Sequence, residues 1–175
     1  MKEILKKIGF SLKLPFIDIN YKPSHEEVQI KLKNHSWQDA ANGVIPETAD
    51  PGGYEANGTF LYIARVVLDD RSIHPGKIRS EFHAAYIPLG GEEVHFKHYQ
   101  VFIGDCCWAK ASDGKIPIGA IVAGCEADET PLYVARAKYE EGLHIGKIRP
   151  DFGAANIPVG GKERQINPYE VLVTR

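Results

Sequence analysis

The chain contains the same sequence twice. Residues 37–103 contain, in order, WQDAANGVIP, GYEANGTFLYIAR, PGKIR, FHAAYIPLGG and YQVFI, and residues 108–173 contain WAKASDGKIP, GCEADETPLYVAR, IGKIR, FGAANIPVGG and YEVLV. The offset is 71 residues at first and falls to 70 after the loop near Arg71. A site built by one copy is therefore expected a second time in the other. Two similar sites on one short chain favour a binding protein that gains from multivalency over an enzyme.

Composition is that of an ordinary soluble globular protein, at 43% hydrophobic and 25% charged residues in a chain of 175. The net charge of −2 supplies no overall field that would attract nucleic acid. The three cysteines are odd in number and two are adjacent, so we interpret them as free thiols in a reducing compartment. We expect one compact unit with two repeats, at residues 37–107 and 108–175, after an N-terminal extension at 1–36.

The apolar segments of both copies are typical of strands. They are short, rich in β-branched and aromatic residues, and bounded by Gly, Pro, Asn and Asp. Residues 61–67 and 132–138 are the clearest strand candidates, and the Gly pairs at 90–91 and 160–161 indicate turns. These patterns predict an all-β fold of two tandem, antiparallel repeats with pseudo-twofold symmetry and about four strands in each copy.

The first 36 residues are not repeated. Apolar and polar residues alternate over 10–16 and again over 28–33, which predicts a β-hairpin with its turn in 20–27. Three roles stay open for this hairpin: it adds strands to the repeats, it forms a dimer contact, or it is a basic segment that lies on a membrane surface. No apolar run approaches the length of a membrane span, and no signal-peptide cleavage site follows the N-terminus, so we expect no membrane span and a cytoplasmic location, with any export independent of a signal peptide.

Four pairs of identical charged residues occur at matching positions in the two copies. They are Glu55 and Glu126, Arg65 and Arg136, Lys77 and Lys147, and Arg79 and Arg149. Structural ion pairs would explain these matches, and so would a polar ligand site that is present twice. A sugar is the ligand that suits Glu and Lys near a Gly-rich turn, because a carboxylate accepts hydrogen bonds from neighbouring hydroxyls while an ammonium donates to them.

Other kinds of chemistry have little support in the sequence. No nucleotide-binding or zinc-finger spacing occurs, and His95 and His98 have no histidine counterparts in the second copy, so we expect no metal site and no cofactor. Neither half repeats a nucleophile together with a base, so we expect no enzyme activity. No basic stripe with interleaved aromatic residues indicates nucleic-acid binding.

The repeated motifs resemble a known family. W-x-x-A, G-[YC]-E-A, LY[IV]AR, GKIR, A-A-x-IP-x-GG and YEVLV are similar to the DM-nine repeat, which occurs in tandem in invertebrate proteins and in the N-terminal part of natterin-like toxins. The resemblance covers residues 37–175. It implies an all-β fold in which the two repeats intertwine, a homodimer, and a mannose-binding lectin that recognises microbial or cellular glycans in innate immunity.

The resemblance also implies which residues bind the sugar. In the family, an acidic residue just after the G-Y pair and the Lys of the GK turn hold the sugar without a metal ion. At the matching positions stand Glu55 with Lys77, and Glu126 with Lys147, with Glu in place of the Asp of a characterised lectin. We therefore predict a metal-independent, mannose-type lectin with two sites per chain. The alternative is an intracellular scaffold or interaction protein of the same fold whose sugar site has changed.

Overall fold

The structure is a computed structural model, and it describes residues 35–175. Almost all regular structure in this range is β, with one short 3-10 helix at Pro150–Phe152. The first seven strands are β1 (His35–Ala41), β2 (Pro51–Tyr54), β3 (Phe60–Val67), β4 (Ile73–Ile78), β5 (Ala85–Leu89), β6 (Glu92–Phe96) and β7 (His98–Gly104). The other seven are β8 (Cys107–Ala111), β9 (Val122–Cys125), β10 (Pro131–Tyr139), β11 (Gly142–Ile148), β12 (Ala155–Val159), β13 (Lys162–Ile166) and β14 (Tyr169–Val173).

The two repeats have the same seven-strand plan, so β1 to β7 correspond in order to β8 to β14. All strands join one antiparallel sheet in the order β1-β7-β3-β2-β11-β12-β13-β6-β5-β4-β9-β10-β14-β8. Reversing this order and replacing each strand with its counterpart in the other repeat gives the same order. The predicted all-β fold with pseudo-twofold symmetry is confirmed. The expected number of about four strands per copy was wrong, because short strands rich in Gly, Pro or charged residues, such as β2, β4 and β6, do not show the alternation that predicts a strand.

The repeats intertwine by exchanging a strand. β2 of the first repeat pairs with β11 of the second, where Tyr54 lies opposite Leu143. β9 of the second repeat pairs with β4 of the first, where Cys125 lies opposite Ile73. With the hairpins β3–β4 and β10–β11, these pairings close a ring of six strands, β3-β2-β11-β10-β9-β4.

Both exchanged strands carry a glycine at the point of closest approach. A Cβ added to Gly53 would lie 2.2 Å from the carbonyl oxygen of Leu143, and one added to Gly124 would lie 1.9 Å from that of Ile73. Neither distance can be accommodated without moving the backbone. The repeated glycine is therefore a requirement of the strand exchange.

The buried apolar residues form one central cluster and two outer clusters. The central cluster draws on both repeats and has Trp37 and Trp108 packed against it. The outer clusters each belong to one repeat and contain matching residues, such as Ile87 in the first and Ile157 in the second. The central cluster consists of Leu61, Ile63, Phe102, Ile121, Ala123, Val134, Ile145 and Leu172.

The predicted hairpin of residues 1–36 lies outside the described residues, apart from the start of β1. Residues 36–175 form a compact unit of their own. The repeat boundaries at 37–107 and 108–175 stay a prediction, as does the separate extension. Among the described residues, no helix has the length and apolar character needed to cross a membrane.

Candidate functional site

The two predicted glutamates occupy the same position in matching hairpins. Glu55 follows β2, and its backbone N–H donates to Thr59 O at 2.9 Å. Glu126 follows β9, and its N–H donates to Thr130 O at 2.9 Å. The two side chains are 20% and 24% exposed, so both carboxylates are partly accessible from solvent.

The first cluster is built around Lys77, whose side chain is only 3% exposed. Its Nζ lies 3.6 Å from Glu55 Oε1 and 3.6 Å from Glu93 Oε1. It also lies 3.2 Å from Nδ1 of His144, which belongs to the second repeat. Burial lowers the pKa of Lys77, and the charges of Glu55 and Glu93 oppose that shift. The first cluster is thus Glu55, Lys77, Glu93 and His144.

The second cluster is built around Lys147, with Glu126, Glu163 and His74. Lys147 Nζ lies 3.1 Å from Nδ1 of His74, a residue of the first repeat. Glu126 contacts the same imidazole, with 3.8 Å between Oε2 and Nε2, and also contacts Arg149, with 3.4 Å between Oε1 and Nη1. Burial lowers the pKa of Lys147, and the charges of Glu163 and Glu126 oppose that shift.

Each lysine therefore has a histidine from the other repeat as its closest partner. Since a lysine ammonium can only donate, the Nδ1 atoms of His74 and His144 accept, and both rings are neutral. Burial, and then the neighbouring lysine charge, lowers the pKa of each histidine to about 4. In the second cluster, additional hydrogen bonds fix the orientation of the His74 ring. Its Nε2 donates to Ser72 Oγ at 3.0 Å, and Ser72 Oγ donates to Asp70 at 2.6 Å.

The glutamates of the two Gly-Gly hairpins connect one cluster to the other. Glu93 Oε2 accepts from the backbone N–H of Gly161 at 2.8 Å, and Glu163 Oε2 accepts from that of Gly91 at 2.7 Å. Their backbones also pair, through Glu93 N to Gly161 O and Glu163 N to Gly91 O. Each turn is therefore held by the other repeat, and from its turn Glu93 reaches Lys77 while Glu163 reaches Asn156.

The matching arginines of β3 and β10 have a structural role. Arg65 Nη1 donates to Ala123 O and Arg136 Nη1 donates to Gly52 O, each at 2.9 Å, so each arginine binds the exchanged strand of the other repeat. The guanidinium groups also lie 4.1 Å from the ring centres of the two tryptophans. For these two positions, structural contacts explain why both copies carry arginine.

The second arginine pair lies beside the clusters. Arg79 stacks on Phe82 at 4.0 Å, and its Nε lies 3.4 Å from Glu81. Arg149 stacks on Phe152 at 4.6 Å and, unlike Arg79, reaches the cluster glutamate of its own repeat.

The structure brings Glu55 and Lys77 into direct contact, and it places Glu126 and Lys147 on the same histidine. The prediction from sequence did not include His74, His144, Glu93 or Glu163. A signal was present, because the GK turn is preceded by H-x in both copies and the Gly-Gly turn is followed by Glu at the same position. The sequence does not show that each histidine serves the lysine of the other repeat.

The clusters offer hydrogen-bond acceptors at their rims and a positive donor at their base. Among residues 35–175, no group of three or more His, Cys, Asp and Glu side chains is placed to hold a metal ion. Two grooves of about 290 and 440 Å³ lie elsewhere, beside Arg65 and beside Arg136.

Comparison with known proteins agrees with this architecture. The structure is similar to the crystal structure of the nematode sperm cell motility protein MFP2B, with a TM-score of 0.54 and 16% sequence identity. The match covers 80% of this chain and 47% of that one, so the chain spans about half the length of its structural neighbour, and the likeness concerns the fold alone. No curated protein matches the chain. The sequence profile of the DM9 repeat matches residues 18–96 and again 67–166. The chain belongs to the DM9 repeat family.

Proposed function

We propose that this protein is a carbohydrate-binding protein, a mannose-type lectin with two metal-independent sites per chain. The observation that carries the proposal is that each copy places a partly exposed glutamate near a buried lysine: Glu55 contacts Lys77 directly, and Glu126 and Lys147 contact the same histidine, His74. A family resemblance alone would not require both copies to keep this arrangement.

The chemistry of the clusters suits sugar hydroxyls. A hydroxyl can donate to the carboxylate at the rim and accept from the ammonium at the base, and both hydrogen bonds are charge-assisted. Because both partners are held by further contacts in the protein, binding a sugar orders few additional side chains, which reduces the entropic cost.

The position of Lys77 supports metal independence at the first site, because its ammonium lies 3.6 Å from the carboxylates of both Glu55 and Glu93, where a cation would otherwise bind. Titration of the full chain with methyl α-mannoside by calorimetry, with and without EDTA, tests this directly. We expect the same dissociation constant in both titrations. Binding that disappears in EDTA would contradict the metal-free site.

Variants of the two rim glutamates test the location of the sites. Glu55→Gln with Glu126→Gln keeps the side-chain volume and removes both negative charges, and we expect a loss of affinity of about tenfold or more at each site. Glu81→Gln, a change at an exposed glutamate next to the first cluster, is the matched control. Equal binding by the double variant and the control would place the sugar elsewhere.

We further propose that the protein recognises mannose-containing glycans on microbial or cellular surfaces as a homodimer with four sites. It would act in a cytoplasmic or unconventionally exported form and without catalytic activity. The burial of both lysines favours a second candidate, a scaffold in which the clusters mainly join the repeats. A glycan array separates the two candidates, because a scaffold would bind none of the printed sugars.

A further inference from the structure

The two clusters differ in how fully their lysines are paired. Lys77 Nζ has three partners, Glu55, Glu93 and His144. Within the described part of the chain, Lys147 Nζ has a single close partner, His74, and no carboxylate at salt-bridge distance. An ammonium has three N–H donors, and three acceptor groups surround those of Lys77, whereas one lies close to those of Lys147.

The difference arises from the neighbours of the two glutamates in each cluster. In the second cluster, Glu126 turns toward Arg149, and Glu163 Oε1 accepts from Asn156 Nδ2 at 2.7 Å. In the first cluster, Arg79 pairs with Glu81, as Arg149 does with Asp151, but Arg79 is not within ion-pair distance of Glu55, which contacts Lys77. The counterparts of the two glutamates that contact Lys77 therefore contact other groups in the second cluster.

The residue opposite each lysine also differs between the clusters. Tyr86 lies opposite Lys77 in the sheet, and its ring stacks on Phe82 and His95, each at 4.1 Å. Asn156 occupies the same register position opposite Lys147. An aromatic wall in the first repeat is therefore replaced by an amide in the second.

Asn156 has an acceptor without a partner. The residue is 6% exposed, and no donor among residues 35–175 reaches its Oδ1, although its Nδ2 is hydrogen-bonded. An unsatisfied buried carbonyl is unfavourable and is rare in native proteins. Asn156 lies directly opposite Lys147 in the sheet, so this acceptor and the Lys147 donors belong to neighbouring side chains.

We propose that the second cluster is the principal sugar site and that Asn156 determines its specificity. This inference rests on the proposed function and adds to it a ligand class, a sugar with two adjacent free hydroxyls. One hydroxyl accepts from Lys147 Nζ and donates to Glu126, and the adjacent hydroxyl donates to Asn156 Oδ1. The first cluster, whose lysine is already paired, binds the same sugar more weakly.

Calorimetry on the full chain with methyl α-mannoside tests the ranking of the two sites. Lys147→Met should abolish the tighter class of binding, whereas the matched variant Lys77→Met should leave it in place. Asn156→Leu, which keeps the volume and removes the acceptor together with the donor to Glu163, should weaken the tighter class by about three- to tenfold. The midpoint of urea unfolding confirms that each variant is folded.

A series of 2-, 3- and 4-deoxy mannosides tests the role of Asn156, beginning with the unaltered protein. Removing one of the three hydroxyls from the sugar should weaken binding to the unaltered protein about as much as Asn156→Leu does. Removing the same hydroxyl should not weaken binding to the Asn156→Leu variant any further. Equal costs for that hydroxyl in both proteins would overturn the assignment of Asn156. Loss of the tighter class in Lys77→Met, with Lys147→Met unaffected, would overturn the ranking and leave the lectin proposal intact. Failure of the unaltered protein to bind any of the sugars would overturn both proposals.

Discussion

Acid should destabilise this protein through the two histidines that join the repeats. His74 and His144 are 2% and 4% exposed, and each accepts a hydrogen bond from a lysine ammonium. Protonation would remove the acceptor and place two positive charges in contact. The pKa of each histidine is about 4 in the folded state, against 6.5 for an unperturbed histidine.

The sign and size of the effect follow from proton linkage. Between pH 6.5 and about 4 the unfolded chain binds protons at both histidines and the folded chain does not, so the free energy of unfolding falls as the pH falls. Above pH 6.5 neither state is protonated and the stability is fully present. At about 1.4 kcal/mol per pKa unit, lowering the pH from 7 to 4.5 should cost about 2 kcal/mol for each histidine.

Urea unfolding followed by tryptophan fluorescence at pH 7 and pH 4.5 measures this loss. His74→Asn with His144→Asn supplies a test protein, because an asparagine Oδ1 can accept from the lysine at the place of Nδ1 and does not titrate. We expect the double variant to lose about 4 kcal/mol less than the unaltered protein between the two pH values. His98→Asn, at an exposed histidine, should behave like the unaltered protein. An equal pH dependence in the double variant and the unaltered protein would refute the reasoning.

Three further predictions concern the contacts between the repeats and the assembly. Arg136→Met removes the hydrogen bonds to Glu170 and to the exchanged strand, and should lower the free energy of unfolding by about 2–4 kcal/mol. Lys138→Met, on the same strand, should change it little. Equal effects of the two variants in urea titrations would argue against the structural role of Arg136. Gly124→Ala should lower the free energy of unfolding by at least about 3 kcal/mol, because its Cβ would meet a backbone carbonyl. Gly161→Ala has open space around its Cβ and should lower it by about 1 kcal/mol because of the positive φ. Similar stabilities of the two variants in thermal unfolding would contradict the close approach at Gly124. Sedimentation of the full chain should show a dimer, and the full chain should agglutinate mannose-coated particles. The same measurements on a chain lacking residues 1–34 show whether the extension contributes to the dimer. A monomer without agglutination in both cases would favour the scaffold.

The sequence predicts the strands whose own residues alternate or are strongly apolar. β3 and β10, with LYIAR and LYVAR, belong to this class, and so do the final strands of each repeat. β2 reads PGGY and β4 reads IHPGKI, and these segments are strands because tertiary pairing holds them. Their glycines are required by the neighbouring backbone, which a single strand's pattern does not reveal.

The candidate site was predicted in part for a related reason. Glu55 and Lys77, and their counterparts, are recognisable because both copies carry them and the family motif includes them. The histidines also recur, yet their role depends on which repeat supplies which partner. A comparison of two copies shows that a residue is duplicated, and only the strand exchange shows that it acts across the copies.

The exchange of strands has a consequence for the origin and the synthesis of the protein. Neither repeat holds a complete cluster, because each lysine needs a histidine from the other copy. An ancestral gene that encoded one repeat would have formed this unit as a homodimer, and the tandem gene would then be a fusion of its two subunits. During translation, the first cluster stays incomplete until His144 has left the ribosome, so both clusters form late and nearly together.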